Sequence, residues 1–534
     1  MIDRRHVLKA ALAAPVAAAM PALARPAIAR PADRTLRFIP DGDLQNPDPI
    51  WTTSNVVRIH GYMIYDTLYA LDRELRPQPQ MCAGHELSAD QLTWRFTLRE
   101  NLRFHDGEPV RAADCVASIG RWMQRDAMGQ RIAASLNELA TLDDKRFELR
   151  LKRPFGLMLE ALAKSTVNVC FIMPERVAAT PANIAISDFT GSGPFRFLRA
   201  EWVPGARVAY SRHDGYVPRP EPASYMAGGK KVNVERVDWN IIPDAATAAA
   251  AMQSGEQDWW MSPQSDLVDM LRKSSGVVVE MFDFIGLIGI LRFNCLQPPF
   301  NNQKLRQALL PAIDQQQYMQ AAFGDRTDTY RTGLGTFSLG SPLANDAGLE
   351  AVTGPQDLTR ARRLAKESGY QGERVVLMAA TNYPTLDAFS LVTRDLFEKV
   401  GLNVDYAATD WGTVVQRRAK REPVDQGGWS AFCTNLGADS TFDPAGHLPL
   451  VGTGDKAWFG WPTSPRLEAL RDAWYDAPDE ARRIAIAREI QQVALQEVPY
   501  VPLGQYFSPT AVRKELSKLV KSGVPTFWGV EKGG

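Results

Sequence analysis

The chain has 534 residues, enough to bury several cores and to form more than one domain. Its hydrophobic share of 45% and charged share of 23% are those of an ordinary globular protein. Lys+Arg and Asp+Glu both number 61, and setting aside residues 1–29 leaves a slight acidic excess; nucleic acid and anionic membranes are excluded as expected partners.

Residues 1–29 read as an export signal rather than as part of the fold. Asp3-Arg4-Arg5-His6-Val7-Leu8-Lys9 looks like a twin-arginine motif, and the Ala-rich run from Ala10 to Leu23 follows it. Small-residue cleavage sites end at Ala24 or Ala29. No Cys lies near them, so a free periplasmic protein is expected rather than a lipid-anchored one. Five scattered cysteines (Cys82, Cys115, Cys170, Cys295 and Cys433) do not form a disulfide framework and read as inert thiols.

Thr35–Ile39 reads as a first strand, followed by a Pro- and Asp-rich loop over 40–49. Thr93–Leu98 alternates, with Trp94, Phe96 and Leu98 on one face, and Arg146–Leu151 alternates in the same way. His105-Asp106-Gly107 supplies a turn before a helix that puts Val116 and Ile119 on one face, with Ala112 and Ala113 a turn earlier. Phe195–Phe197, Val208–Tyr210 and Arg236–Ile242 read as strands, and Asp244 caps an Ala-rich helix. Gln303–Ala322 has a helical pattern in which Pro311 should force a kink or split. Helices are expected over Leu358–Glu367, Leu386–Val400, Arg466–Trp474 and Glu480–Glu497, and strands over Val375–Ala379 and Val404–Ala407.

Several of these pieces together resemble one family. Tyr65-Asp66-Thr67-Leu68, Leu75…Pro77, the strand to Leu98, Phe104-His105-Asp106-Gly107, Ala113-Asp114, Gly191-Ser192-Gly193-Pro194-Phe195, Phe293-Asn294, Pro299-Phe300 and Leu305-Arg306-Gln307-Ala308 occur in order. They are similar to the peptide/nickel-type (family 5) extracytoplasmic solute-binding proteins of ABC importers. The resemblance implies a two-lobed α/β periplasmic-binding-protein fold of type II-like topology. Lobe one takes 33–54, 185–282 and 503–534, with an extra α+β subdomain over 55–184; lobe two takes 285–500. Two hinge crossings, near Phe282–Phe284 and Tyr500–Leu503, would let a ligand cleft close.

The resemblance also implies a site. Trp411, Arg418 and Trp429 are spaced as in peptide-binding members, whose aromatic residues wall the cavity while a basic residue reaches a carboxylate. Those members carry an Asp three residues after the wall Trp, where it neutralises the peptide ammonium. Phe432 stands there in this chain and cannot offset a buried ammonium, which argues against a free peptide N-terminus. A shifted carboxylate, Asp439 or Asp443, stays open as a replacement, although Asp443-Pro444 matches a family turn. Thr434 and Asn435 would add polar lining, Gln505 and Tyr506 the hinge-side wall, and Trp51, just after the loop over 40–49, a further part of the lining.

Phosphate-loop, dinucleotide, His-Glu-x-x-His, Cys-x-x-Cys and Gly-x-Ser-x-Gly patterns are absent, so no enzyme, cofactor or resident metal is expected. His447, in a Gly/Pro-rich loop, reads as a ligand hydrogen-bonder or a plain loop residue. The expected activity is capture of a peptide-like or amino-acid-derived solute for an ABC permease and its ATPases. The alternative is a receptor for an opine, another organic acid or a metal complex. The protein is expected to be monomeric.

Overall fold

Two sheets carry the molecule, and chain order explains why they form separate lobes. The computed structural model describes residues 34–477 and 479–533; the export-signal reading lies outside them. The first sheet has seven strands in the order Phe195–Phe197, Arg207–Arg212, Arg236–Asn240, Thr35–Ile39, Trp259–Trp260, Thr510–Arg513 and Val277–Glu280. The second has six, in the order Tyr330–Arg331, Tyr500–Tyr506, Leu287–Phe293, Ala431–Gly437, Arg374–Ala380 and Asn403–Thr409. The extra subdomain holds a four-stranded antiparallel sheet, Cys82–Leu87, Thr93–Leu98, Arg146–Leu151 and Leu136–Thr141. Trp94, Phe96 and Leu98 are buried there, as their alternation predicts.

The chain passes between the two large sheets twice. The first passage spans 281–286, near the expected crossing. The second spans 507–509, and here the sequence reading is corrected. Tyr500–Leu503 is no hinge: Tyr500–Tyr506 is a fully buried lobe-two strand paired with Leu287–Phe293. Pro502 is accommodated where the register shifts between Gly289 and Ile290, a bulge that needs no ladder N–H from it.

Local signals set most element ends. Asp244 and Asp357 cap their helices by accepting from the N–H groups of Thr247 (2.7 Å) and Arg360 (2.8 Å). Pro311 divides its helical run into Gln303–Leu309, a short 3-10 turn and Gln315–Phe323. The Gly191-Ser192-Gly193 turn lies against the end of helix Asn55–Ile64. A Cβ on Gly191 would fall 1.7 Å from the Ile64 carbonyl oxygen, which only glycine avoids. His105 fastens this turn: its Nδ1 accepts from Gly191 N–H (3.1 Å), and its Nε2–H donates to the Gly193 carbonyl (3.2 Å).

Three deeply packed histidines make stability depend on pH. Burial pushes His60, His105 and His447 down to about 3. They stay neutral in the fold, whereas in the unfolded chain they titrate near 6.5. A depressed histidine favours folding above its unfolded value and costs stability as pH falls below it. Between about pH 6 and 5 the stability should drop by up to ~4 kcal/mol per pH unit, three protons being taken up only on unfolding. Melting temperatures at pH 7.5 and 5.5 check this; equal values would contradict it.

Candidate functional site

Strand direction places the site. Arg374–Ala380 runs parallel to both Asn403–Thr409 and Ala431–Gly437, so all three end on one side. Helices Pro384–Val400 and Trp411–Arg417 begin just beyond the first two ends. Ligands in such sheets bind beyond the carboxyl ends of the strands. In Ala431–Gly437 the first four residues are buried and the last three half-buried, so this strand meets the cleft only from Asn435 onward.

That register overturns the reading of two candidates. Phe432 and Trp429 are fully buried at the opposite end of the strand. Phe432 packs between Trp429 (5.0 Å between centroids) and Trp458 (6.3 Å). The indole N–H of Trp429 donates to the carbonyls of Arg418 and Lys420 (both 3.1 Å). Both residues are lobe-two core, so the argument that Phe432 excludes a free amine falls with them. Thr434 is buried on the same face of the strand as Phe432. Gln505 is also structural: its amide donates to Ile285 and Leu339 carbonyls (2.6 and 3.2 Å) and accepts from Leu339 N–H (2.8 Å), leaving it no role as cleft wall. His447 is buried against the Thr336 carbonyl (2.8 Å) and the Tyr500 hydroxyl (3.0 Å).

Asn435, Tyr383 and Trp411 sit at or just past the strand ends, whereas Arg418 lies back toward Trp429, whose indole donates to its carbonyl. Asn435 donates to the hydroxyls of Tyr506 (2.7 Å) and Tyr383 (3.3 Å). Tyr506 is itself almost wholly buried against Phe323 and Phe389. Tyr383, 37% exposed, stands edge-on to Trp411 at 6.4 Å. The guanidinium of Arg418 lies over Trp411 (5.6 Å), Trp458 (5.8 Å) and Phe459 (4.5 Å). Its Nε is buried without a hydrogen-bond partner, and desolvation lowers the group to about 10. Beside it, Leu448, Val451, Trp458, Phe459 and Trp461 line a concavity of about 340 Å³. Trp51 is largely exposed, its indole N–H donating to the Asn183 carbonyl (3.3 Å).

A charged cluster where the lobes meet was not foreseen as a unit. Arg58, on helix Asn55–Ile64 of the first half of the chain, donates from Nη1 to Asp439 Oδ2 at 3.1 Å, just past the end of Ala431–Gly437. Their side chains are 16% and 13% exposed. Nη1 also donates to the Ser165 carbonyl (3.2 Å) and Nη2 to Asn55 Oδ1 (2.7 Å). Asn55 in turn donates to Asp41 (2.8 Å). Asp283, in the first crossing, accepts from the N–H groups of Ile285 and Gly286 (both 2.9 Å). Desolvation raises the carboxyls of Asp41 and Asp283, and the Arg58 charge opposes the rise at both. Ala438 is tied to that crossing by its N–H on the Gly286 carbonyl (2.9 Å), which fixes Asp439 beside the hinge. Asp439 was an open alternative in the sequence; Arg58, Asp41 and Asp283 gave no local signal, because only the fold brings them together.

Two α/β lobes joined by two crossings give the architecture of a ligand-capturing protein. Residues 76–458 match the family model described as "Bacterial extracellular solute-binding proteins, family 5 Middle". The chain is 38% identical, over 99% of both sequences, to a "Probable peptide ABC transporter periplasmic-binding protein" of Sinorhizobium fredii. A dipeptide binding protein from Pseudoalteromonas sp. SM9913 in complex with Met-Leu matches the fold with a TM-score of 0.77 at 19% identity, over 93% of this chain and all of that one. The binding protein AgaA in complex with agropinic acid, from A. tumefaciens R10, gives 0.76 at 20% identity, over 94% and 99%. The chain belongs to the family 5 bacterial extracellular solute-binding proteins and is a binding protein, not an enzyme. Among the described residues no group of His, Cys, Asp and Glu could hold a metal ion, and no helix is long and apolar enough to cross a membrane.

Proposed function

We propose that this protein captures a short peptide-like or amino-acid-derived zwitterion between its lobes and delivers it to the permease of an ABC importer. The carrying observation is the polarity of the lobe-two wall. Asp439 stands at the hinge end, and the unpaired, partly desolvated Arg418 stands at the other, with Asn435, Tyr383 and Trp411 between them. A free amine would sit on Asp439 and a carboxylate on Arg418, with an apolar side chain entering the concavity at Trp458. Export through a twin-arginine signal in residues 1–29, and work as a monomer with permease and ATPase partners, complete this reading. The named function of the Sinorhizobium relative supports the peptide class. The agropinic acid complex supports an opine as the second reading.

Thermal shift tests it. Dialanine and trialanine at millimolar concentration should raise the melting temperature by several degrees if affinity is micromolar, about 4 kcal/mol of linkage. N-acetylated and C-amidated versions should lose most of that shift. Equal shifts from blocked and free peptides would sink the assignment of Asp439 and Arg418.

A further inference from the structure

We infer that the extra subdomain carries an electrostatic latch, centred on Arg131, that closes on lobe two and favours the shut form of the protein whether or not cargo is bound. The latch joins two parts of this chain, so it does not depend on which solute the cleft takes.

Charges of opposite sign face each other across this boundary. Arg131, on helix Ala127–Ser135 of the subdomain, pairs with Asp472 on helix Pro465–Tyr475 of lobe two. Its guanidinium also lies over the Tyr475 ring, 4.4 Å from the centroid. Phe155 stacks on the same ring, 6.5 Å between centroids and 26° between planes. Arg153 reaches Asp476 at 3.7 Å. Desolvation raises the Asp443 carboxyl of lobe two, and the Lys164 charge of the subdomain is among the groups that oppose the rise. At the hinge end Arg58 holds Asp439. Four cations of the subdomain, Arg58, Arg131, Arg153 and Lys164, thus meet four carboxylates of lobe two. Glu160 and Arg483 attract across the same boundary with the signs reversed.

Helix Pro465–Tyr475 moves with lobe two. Arg466 ties it to Gln496 on helix Glu480–Glu497 (3.1 Å), and Arg306, on Gln303–Leu309, donates to the Glu497 carbonyl at the end of that helix (2.7 Å). The subdomain belongs to the other side of the crossings at 281–286 and 507–509. Opening about those crossings would part Arg131 from Asp472 and bring Tyr475, now 7% exposed, into water. An interaction made in one state and lost in the other shifts the balance between them by its whole free energy. Arg131, Arg153 and Phe155 are separate from the residues assigned to cargo at Tyr383, Trp411, Arg418 and Asn435, so the latch favours closure for any cargo alike. Its ion pairs are half-exposed, which makes closure sensitive to ionic strength.

Small-angle X-ray scattering on exhaustively dialysed, cargo-free protein tests the latch. At about 10 mM salt the natural protein should have a smaller radius of gyration than Arg131→Asp. The ratio of open to closed molecules should rise about tenfold in that variant, which loses an ion pair and a cation–π contact together. Raising the salt to about 1 M should expand the natural protein toward the size of the variant. The double change of Arg131→Asp with Asp472→Arg should recover compactness, because it rebuilds the pair with the charges exchanged. A residue that only supports the subdomain's own fold would not be rescued in this way. Circular dichroism and the melting temperature of each variant confirm folding. Equal radii for the natural protein and Arg131→Asp at low salt, or no recovery in the double variant, overturns the latch and leaves the cargo assignments of Asp439 and Arg418 untouched.

Discussion

Asp439→Asn is expected to lower affinity for amine-bearing cargo by about 100-fold, or ~3 kcal/mol, with little change in shape. The substitution keeps the size and one acceptor oxygen but removes the charge that a desolvated ammonium requires. Losing one member of a buried, hydrogen-bonded charge pair costs 2–5 kcal/mol in comparable settings. Folding should survive, because Asp41 and Asp283 stay within electrostatic reach of Arg58. Calorimetry on the natural and variant proteins, with the melting temperature as control, reads the effect. An unchanged affinity would move the amine subsite elsewhere.

Phe432→Asp is expected to destabilise lobe two by about 5 kcal/mol or more. Truncating a buried Phe alone costs 3–5 kcal/mol. The new carboxylate would also enter a space between Trp429 and Trp458, and the indole N–H of Trp429 already serves two carbonyls. Melting should fall by roughly 10 °C, or the variant should fail to accumulate as folded protein. Had Phe432 been a cleft-wall residue, the same change would have improved dipeptide binding at little cost. A stable variant with tighter dipeptide binding would therefore restore that placement.

These two residues show where sequence reading ended. Trp429 and Phe432 lie in a stretch, Trp429–Gly437, whose spacing fits a cavity wall and a core strand equally well. A large aromatic residue suits either place. The register of Ala431–Gly437 against Arg374–Ala380 decides, and it pairs Phe432 with Met378 deep in the sheet. One signal was present: the run turns polar at Thr434-Asn435, near the place where the strand leaves the core. Gln505 misled in a related way, since a polar side chain on a return strand looks free until its three backbone partners are seen.

By itself the sequence determined the family, the two-lobed α/β architecture, the caps at Asp244 and Asp357, the break at Pro311 and the alternating strands of the subdomain. These follow from short-range physics: a cap needs its carboxylate within three residues, a proline disrupts its own turn, and a strand buries every second residue. Only the tertiary structure decided what the cleft contains. Asp41, Arg58, Asp283 and Asp439 are separated by up to hundreds of residues, and each alone is an ordinary surface charge. Their pairing exists because a helix of one lobe, a hinge crossing and a strand end of the other converge on one partly dehydrated space. Electrostatic partnership depends on distance and desolvation, and neither is written in local sequence.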